Sequence, residues 1–171
     1  VTGVQTCALP ISRLLPCSGR CVFHRDYPSY RTGTVYGEVK LMGALDGIKV
    51  VDLSRVLAGP FCGQLLAENG ADVIKIEGPE GDLNRAFPHV LGDGDSTNFR
   101  SVNRGKRDIT LNLKSKKARD LLDRLLADAD ILIQSFLPPV AEKLGVGWDR
   151  IHRDFPDLIY VSIRSEEHSL N

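Results

Sequence analysis

The chain of 171 residues has no surplus of either charge, since 22 Lys and Arg balance 22 Asp and Glu. The basic excess that attaches proteins to nucleic acid or to anionic membranes is therefore missing, and any polyanion site must be local. Long apolar runs are missing too, because none approaches the ~20 residues of a membrane-spanning helix. A disulfide framework is absent in a different sense. Of the four cysteines, Cys7, Cys17 and Cys21 crowd into one end and only Cys62 lies in a periodic segment, whereas a stapled secreted domain spreads them out. Cys17, Cys21 and His24 lack the second Cys/His pair that would complete a tetrahedral site, so no metal is expected. No P-loop, nucleophile elbow or metal signature is present. What is there, 42% hydrophobic and 26% charged residues, is the profile of one globular domain.

Residues 1–41 show neither helical nor strand periodicity. They carry Arg13, Arg20, Arg25, Arg31 and Lys40 against Asp26 and Glu38, with Pro10, Pro16 and Pro28 scattered among Ser, Thr and Gly. This composition predicts an unstructured leader rather than a signal peptide, because prolines and Arg13 break the apolar stretch. Val1 to Ile11 resembles a translated sequencing adapter, and Arg164 to His168 resembles its partner. On that expectation residues 1–41 and 164–171 are non-native, the coding frame opens near Met42, and the natural protein continues past Ile163.

From Met42 to Ile163 short β-branched runs alternate with longer amphipathic ones, the signature of βαβ units and a parallel sheet. Strands are predicted over 48–53, 72–77, 108–112, 131–135 and 158–163. Ala58, Phe61, Cys62, Leu65 and Leu66 share one helical face, with Pro60 in the first turn and Gly70 at the stop. Ala118 to Ala129 marks a second, strongly amphipathic helix with Ser115 as its N-cap. Two short helices follow over 139–144 and 148–154. The stretch 78–99, rich in Gly, Pro, Asp and Asn, exceeds an ordinary connection and reads as a functional or flexible loop. The fold class is α/β, an open parallel sheet with flanking helices, whose ligands bind at the strand carboxyl ends.

The turn Ser54 to Pro60 follows a strand but carries one Gly before Pro60, which has no amide to offer a pyrophosphate, so neither NAD nor FAD is expected. Arg104, Lys106, Arg107 and Lys114 surround the third strand, and Lys116 and Lys117 open the helix after it. Cations there oppose the helix dipole, and a bound anion would offset that. The alternative is a solvated face paired i to i+4, Lys116 with Asp120 and Arg119 with Asp123. Asp52 and Glu77 end neighbouring strands and either approach each other or pair with Lys49, Arg55 and Lys75. His89 and His152 stand alone, with no nucleophile at a motif spacing.

Several collinear motifs then resemble one family. Gly47-Ile-Lys-Val-Val-Asp-Leu-Ser54, Leu57-Ala-Gly-Pro60, Leu66 to Glu77 and Gly81-Asp-x-x-Arg85 look like the opening of the family III CoA-transferases, the CaiB/BaiF and formyl-CoA transferase group. Asn103-Arg-Gly-Lys-Arg107, Leu111-Asn-Leu-Lys114, Ala129 to Pro138, Lys143-Leu-Gly145 and Pro156 to Ile163 continue it in order.

The resemblance implies the Rossmann-like N-terminal, CoA-binding part of a cytoplasmic, homodimeric enzyme that moves CoA from an acyl-CoA to a carboxylic acid. Its catalytic Asp attacks the thioester, splitting one difficult transfer into two steps through a mixed anhydride and an aspartyl thioester. The resemblance puts that residue beyond Ile163, so no catalytic residue is expected here and the chain itself is expected to be inactive. It assigns CoA contact to Leu57 and Ala58, to Leu111, Asn112, Leu113 and Lys114, to Ser135, Phe136 and Leu137, and to Lys143. Gly78 stands where some members carry Arg, Ser135 replaces the usual Asn, and Pro139 replaces a common Gly. Loss of the Arg is expected either to weaken phosphate contact or to shift it to Arg104, Lys106 or Arg107. α-Methylacyl-CoA racemases resemble the same superfamily and are the alternative reading, with a non-enzymatic fragment as the third. No nucleic acid or membrane partner is implied.

Overall fold

The computed structural model describes residues 43–89, 91–92 and 95–164. The expected leader, its Cys17, Cys21 and His24, and residues 165–171 of the expected tail lie outside the described residues. Among the described residues no helix is long and apolar enough to cross a membrane.

Five strands form one parallel sheet: β1 (Lys49–Asp52), β2 (Asp72–Glu77), β3 (Arg107–Thr110), β4 (Ile131–Gln134) and β5 (Ile159–Ser162), in the spatial order β3-β2-β1-β4-β5. Val51 stands opposite Ile74 of β2 on one side and Leu132 of β4 on the other. Because side chains alternate across a sheet, Val50 and Val51 enter different cores. Val51, Leu53, Ile76 and Leu132 pack with Leu122 and Leu126 of α3 (Lys116–Leu126) and with Ala141 of α4 (Pro138–Leu144) and Ile151 of α5 (Trp148–Asp154). Val50, Val73 and Ile133 pack on the other face beneath α1 (Ala58–Glu68), meeting Cys62 and Leu66.

Helix α1 departs from the predicted apolar face. Phe61 and Leu65 are 49% and 44% exposed, while Gly59, Pro60, Gly63 and Gln64 are buried. Small residues decide this orientation. A Cβ on Gly59 would overlap Ser54 Cβ, and one on Gly63 would stand 2.6 Å from Asp52 Oδ2, so the two glycines let the helix backbone settle onto the end of β1. The helix ends at Asn69 and the chain reverses through Gly70 at φ +106°, a conformation that favours glycine.

The segment after β2 is more ordered than its composition suggests. Asp82 accepts from the Asn84 amide to cap a short 3-10 turn over Leu83–Ala86, and Ser96 Oγ accepts from Phe99 N to cap α2 (Thr97–Ser101). Ser115 does take the N-cap position of α3, but with no side-chain bond; Asn112 Oδ1 accepts from Lys114 N instead. Asp123, predicted to pair along its own helix with Arg119, accepts from Arg150 of α5.

Candidate functional site

The carboxyl ends of β1, β2, β3 and β4 frame a cleft of about 410 Å³. Its apolar floor is Leu53, Ile76, Leu111, Leu113 and Phe136, each arriving at or just past a strand end. Gly78 to Gly81 form one wall, and Arg55, Asn112 and Lys114 bring polar groups to the rim. Parallel strands present their terminal loops on one edge, which is why residues far apart in sequence converge here.

The turn after β1 is strained and deliberately held. Val56, a β-branched residue, adopts φ +69°. Its amide donates to both oxygens of Asp82 at 3.2 and 3.3 Å, and its carbonyl accepts from Asn84 Nδ2 at 2.7 Å. Asp82 is itself buried and paired with Lys75 at 2.9 Å. Burial alone would raise the Asp82 pKa, but the Lys75 charge and the amides of Asn84 and Val56 outweigh it and hold the carboxyl below its ordinary value.

Beside that turn, Arg85 gathers three carboxylates. Nη2 reaches Glu77 Oε1 and Asp108 Oδ2 at 2.8 Å each, Nη1 meets Asp95, and the guanidinium lies 3.7 Å from the centre of the Phe99 ring. Burial works against the charge of Arg85, yet the Glu77 hydrogen bond and the three negative charges raise its pKa above the ordinary value. Asp108 is shifted upward as well, but in its case against the charged form. Burial first, and the Glu77 charge second, push it up to about 6. The motif Gly81-Asp-x-x-Arg85 is thereby explained: Asp82 locks the first turn, and Arg85 ties the following loop to β2 and β3. Sequence reasoning gave neither residue a role, and the signal available was the Asp-x-x-Arg spacing next to the strand end.

Five of the sequence-predicted residues meet in the cleft: Leu111, Asn112, Leu113, Lys114 and Phe136. Leu57 and Ala58 stay at the same edge of the sheet but on the exposed start of α1, outside the cleft lining. Ser135 Oγ faces the backbone, accepting from Arg55 N at 3.0 Å, and Leu137 is exposed. Lys143 lines a separate hollow of about 370 Å³ with Lys116, Arg119, Glu142 and Arg150.

Two of the predicted cations are turned away. Lys106 is fully buried, and its ammonium donates to Asp52 Oδ2, Pro60 O and Asn103 Oδ1 at 2.7–2.9 Å, which uses all three protons. Arg107 opens β3 and pairs with Asp72, the first residue of β2, so it stands at the amino edge of the sheet, opposite the cleft. Arg104, also considered for phosphate contact, pairs with Glu68. The motif Asn103 to Arg107 is a structural clasp. Asp52 and Glu77 do not meet; each takes its own cation, Lys106 and Arg85.

An open parallel sheet with flanking helices, carrying an apolar, cation-rimmed cleft at its carboxyl edge, defines an α/β unit. Comparison with known proteins makes the class specific. The sequence model of CoA-transferase family III matches residues 45–165. Succinyl-CoA:mesaconate CoA-transferase of Haloarcula marismortui is 46% identical over 127 residues, covering 72% of this chain and 32% of that protein. Formyl-CoA:oxalate CoA-transferase of Streptomyces coelicolor is 41% identical over 121 residues, covering 71% and 30%. Among solved structures, a CaiB/BaiF family protein from Brucella suis superposes with a TM-score of 0.67 at 42% identity, covering 71% of this chain and 33% of that one. The chain belongs to CoA-transferase family III, and it spans about a third of the length of the curated relatives it matches.

Proposed function

We propose that this chain supplies the CoA-binding part of an acyl-CoA:carboxylate CoA-transferase, and that the carboxyl-edge cleft receives the CoA. One observation carries the reading: the fold brings Leu111 to Lys114 and Phe136, contributed by two separate strand ends, into a single cleft with an apolar floor and a cationic rim. That combination suits a ligand with an uncharged arm and phosphate charges. Transfer is preferred to epimerisation because the relatives at 46% and 41% identity are named as transferases. In this reading the enzyme works in the cytoplasm as a homodimer, and residues 43–164 bind and orient CoA while the nucleophilic carboxylate lies elsewhere. The chain alone is then expected to bind CoA without exchanging acyl groups.

Calorimetric titration with CoA tests the reading. Lys114→Ala is expected to weaken CoA binding about tenfold or more at low salt, since a charge-assisted contact contributes roughly 1.5–3 kcal/mol. The difference should shrink at high salt, where the wild-type contact is screened. Unchanged affinity in Lys114→Ala at low salt would make the rim a solvated face and remove the reading.

A further inference from the structure

Arg55 is an exposed residue of the cleft whose backbone is fixed on both sides. Its own amide donates to Ser135 Oγ at 3.0 Å, and the next amide, that of strained Val56, is held by the buried Asp82. Backbone restraint on both sides of an arginine limits where its side chain can go. The guanidinium lies 5.3 Å from the centre of the Phe136 ring, within cation–π range. Arg55 forms no ion pair among the described residues, whereas Arg85, Arg104, Arg107 and Arg150 are all paired with carboxylates. Glu77, in the same lining, is occupied by Arg85, and Glu80 on the wall is exposed. A planar cation held over a ring and left without a carboxylate keeps its outward N–H groups available to a bidentate anion.

Gly78 is the second half of the arrangement. A Cβ there would sit 3.7 Å from Arg55 Nη2, in ordinary contact, so a longer side chain leaving along that vector meets the guanidinium. Arg55 is the nearest neighbour of the space in front of position 78, with no other atom beyond the adjoining residues within 4 Å of the added Cβ.

We infer that Arg55 is the principal anion anchor of the cleft, binding a phosphate group of the ligand opposite Lys114, and that Gly78 stays small to admit it. This rests on the proposed CoA-binding reading and adds a residue and a steric pairing to it. A substitution at 78 and the presence of Arg55 are then alternatives for one space, and a cation is needed from only one of the two positions.

The test titrates the full chain, and the variants Arg55→Ala, Gly78→Arg and Arg55→Ala/Gly78→Arg, with CoA and with pantetheine, which lacks the phosphates. Arg55→Ala is expected to lose about tenfold or more in CoA affinity while pantetheine binding stays unchanged. Gly78→Arg alone should gain nothing, because Arg55 already stands in its path, and the double variant should recover most of the loss. Equal CoA affinity in Arg55→Ala and the parent, or an equal loss for pantetheine, overturns the inference and leaves the CoA reading intact. A parent chain that binds no CoA removes the reading and the inference together.

Discussion

Lys106 and Asp52 meet at 2.8 Å with neither side chain exposed, joining the approach to β3 to the end of β1. The same ammonium holds the Pro60 carbonyl, so one cation fixes two strands and the first turn of α1. Burial lowers the pKa of Lys106 even though the Asp52 charge and hydrogen bond act to raise it. Replacement by Met, close in volume, removes the charge and strands Asp52. Breaking one side of a buried pair typically costs 3–5 kcal/mol. Lys106→Met is therefore expected to lower the urea midpoint by an amount equivalent to ~3 kcal/mol or more. CoA affinity per folded molecule should not change, because this cation faces the interior. A selective loss of CoA binding with unaltered stability would return Lys106 to the ligand.

Gly63 sits against that pair. Replacing glycine by alanine inside a helix ordinarily stabilises by about 1 kcal/mol. Here the new Cβ would fall 2.6 Å from Asp52 Oδ2 and 3.2 Å from Lys106 Nζ. Gly63→Ala is expected to destabilise by ~1–3 kcal/mol, the range of overpacked cores. The exposed Leu65→Ala on the same helix should stay within about 0.5 kcal/mol. Equal effects in chemical denaturation would show that the close approach of α1 contributes nothing.

Asp108 gives a pH dependence whose sign is fixed. Its folded pKa of about 6 lies above the ordinary 3.8, so between those values the native state holds more protons than the unfolded one. Stability from this group is fully present below pH ~4 and declines as pH rises through ~6. One of its oxygens is buried with no hydrogen-bond partner, in keeping with a carboxylate that gains little from ionising. Asp108→Asn keeps an acceptor for Arg85 and cannot ionise. The stability of this variant relative to the parent should grow from pH 4 to 6 and then level off. A difference that stays flat across that range, measured by denaturation at each pH, would count against the assignment.

The sheet was legible in the sequence because buried parallel strands are short β-branched runs, and β2 is found at the predicted residues. The α1 face was legible only in part: Cys62 and Leu66 pack inward as predicted, whereas Phe61 and Leu65 are exposed. Apolar periodicity marks which residues prefer to leave water, but the backbone approach allowed by Gly59 and Gly63 set which side turned inward. Lys106 and Arg107 are adjacent cations in sequence with opposite fates, one clasped inside and one at the amino edge, and no local pattern separates them. Arg55 is similarly silent in the sequence. Its place depends on Ser135, 80 residues away, and on the conformation Val56 is forced to keep. Lys114 was singled out by its place among the cations around the third strand and again by family resemblance, Phe136 by resemblance alone, and the fold supplies the reason they share a cleft.

The central position of β1 also sets an order of events during synthesis. Its partner β2 follows closely, so a β1-α1-β2 unit can form early and locally. Its other edge waits for β4, whose neighbourhood is 80 residues further along, as the Arg55–Ser135 bond shows. At ribosomal rates of about 5–20 residues per second, that edge of the central strand stays without its partner for roughly 4–16 s. The nascent chain therefore passes through a stage in which Val50 and Val51 sit on an open edge, the state in which unwanted strand pairing is most costly.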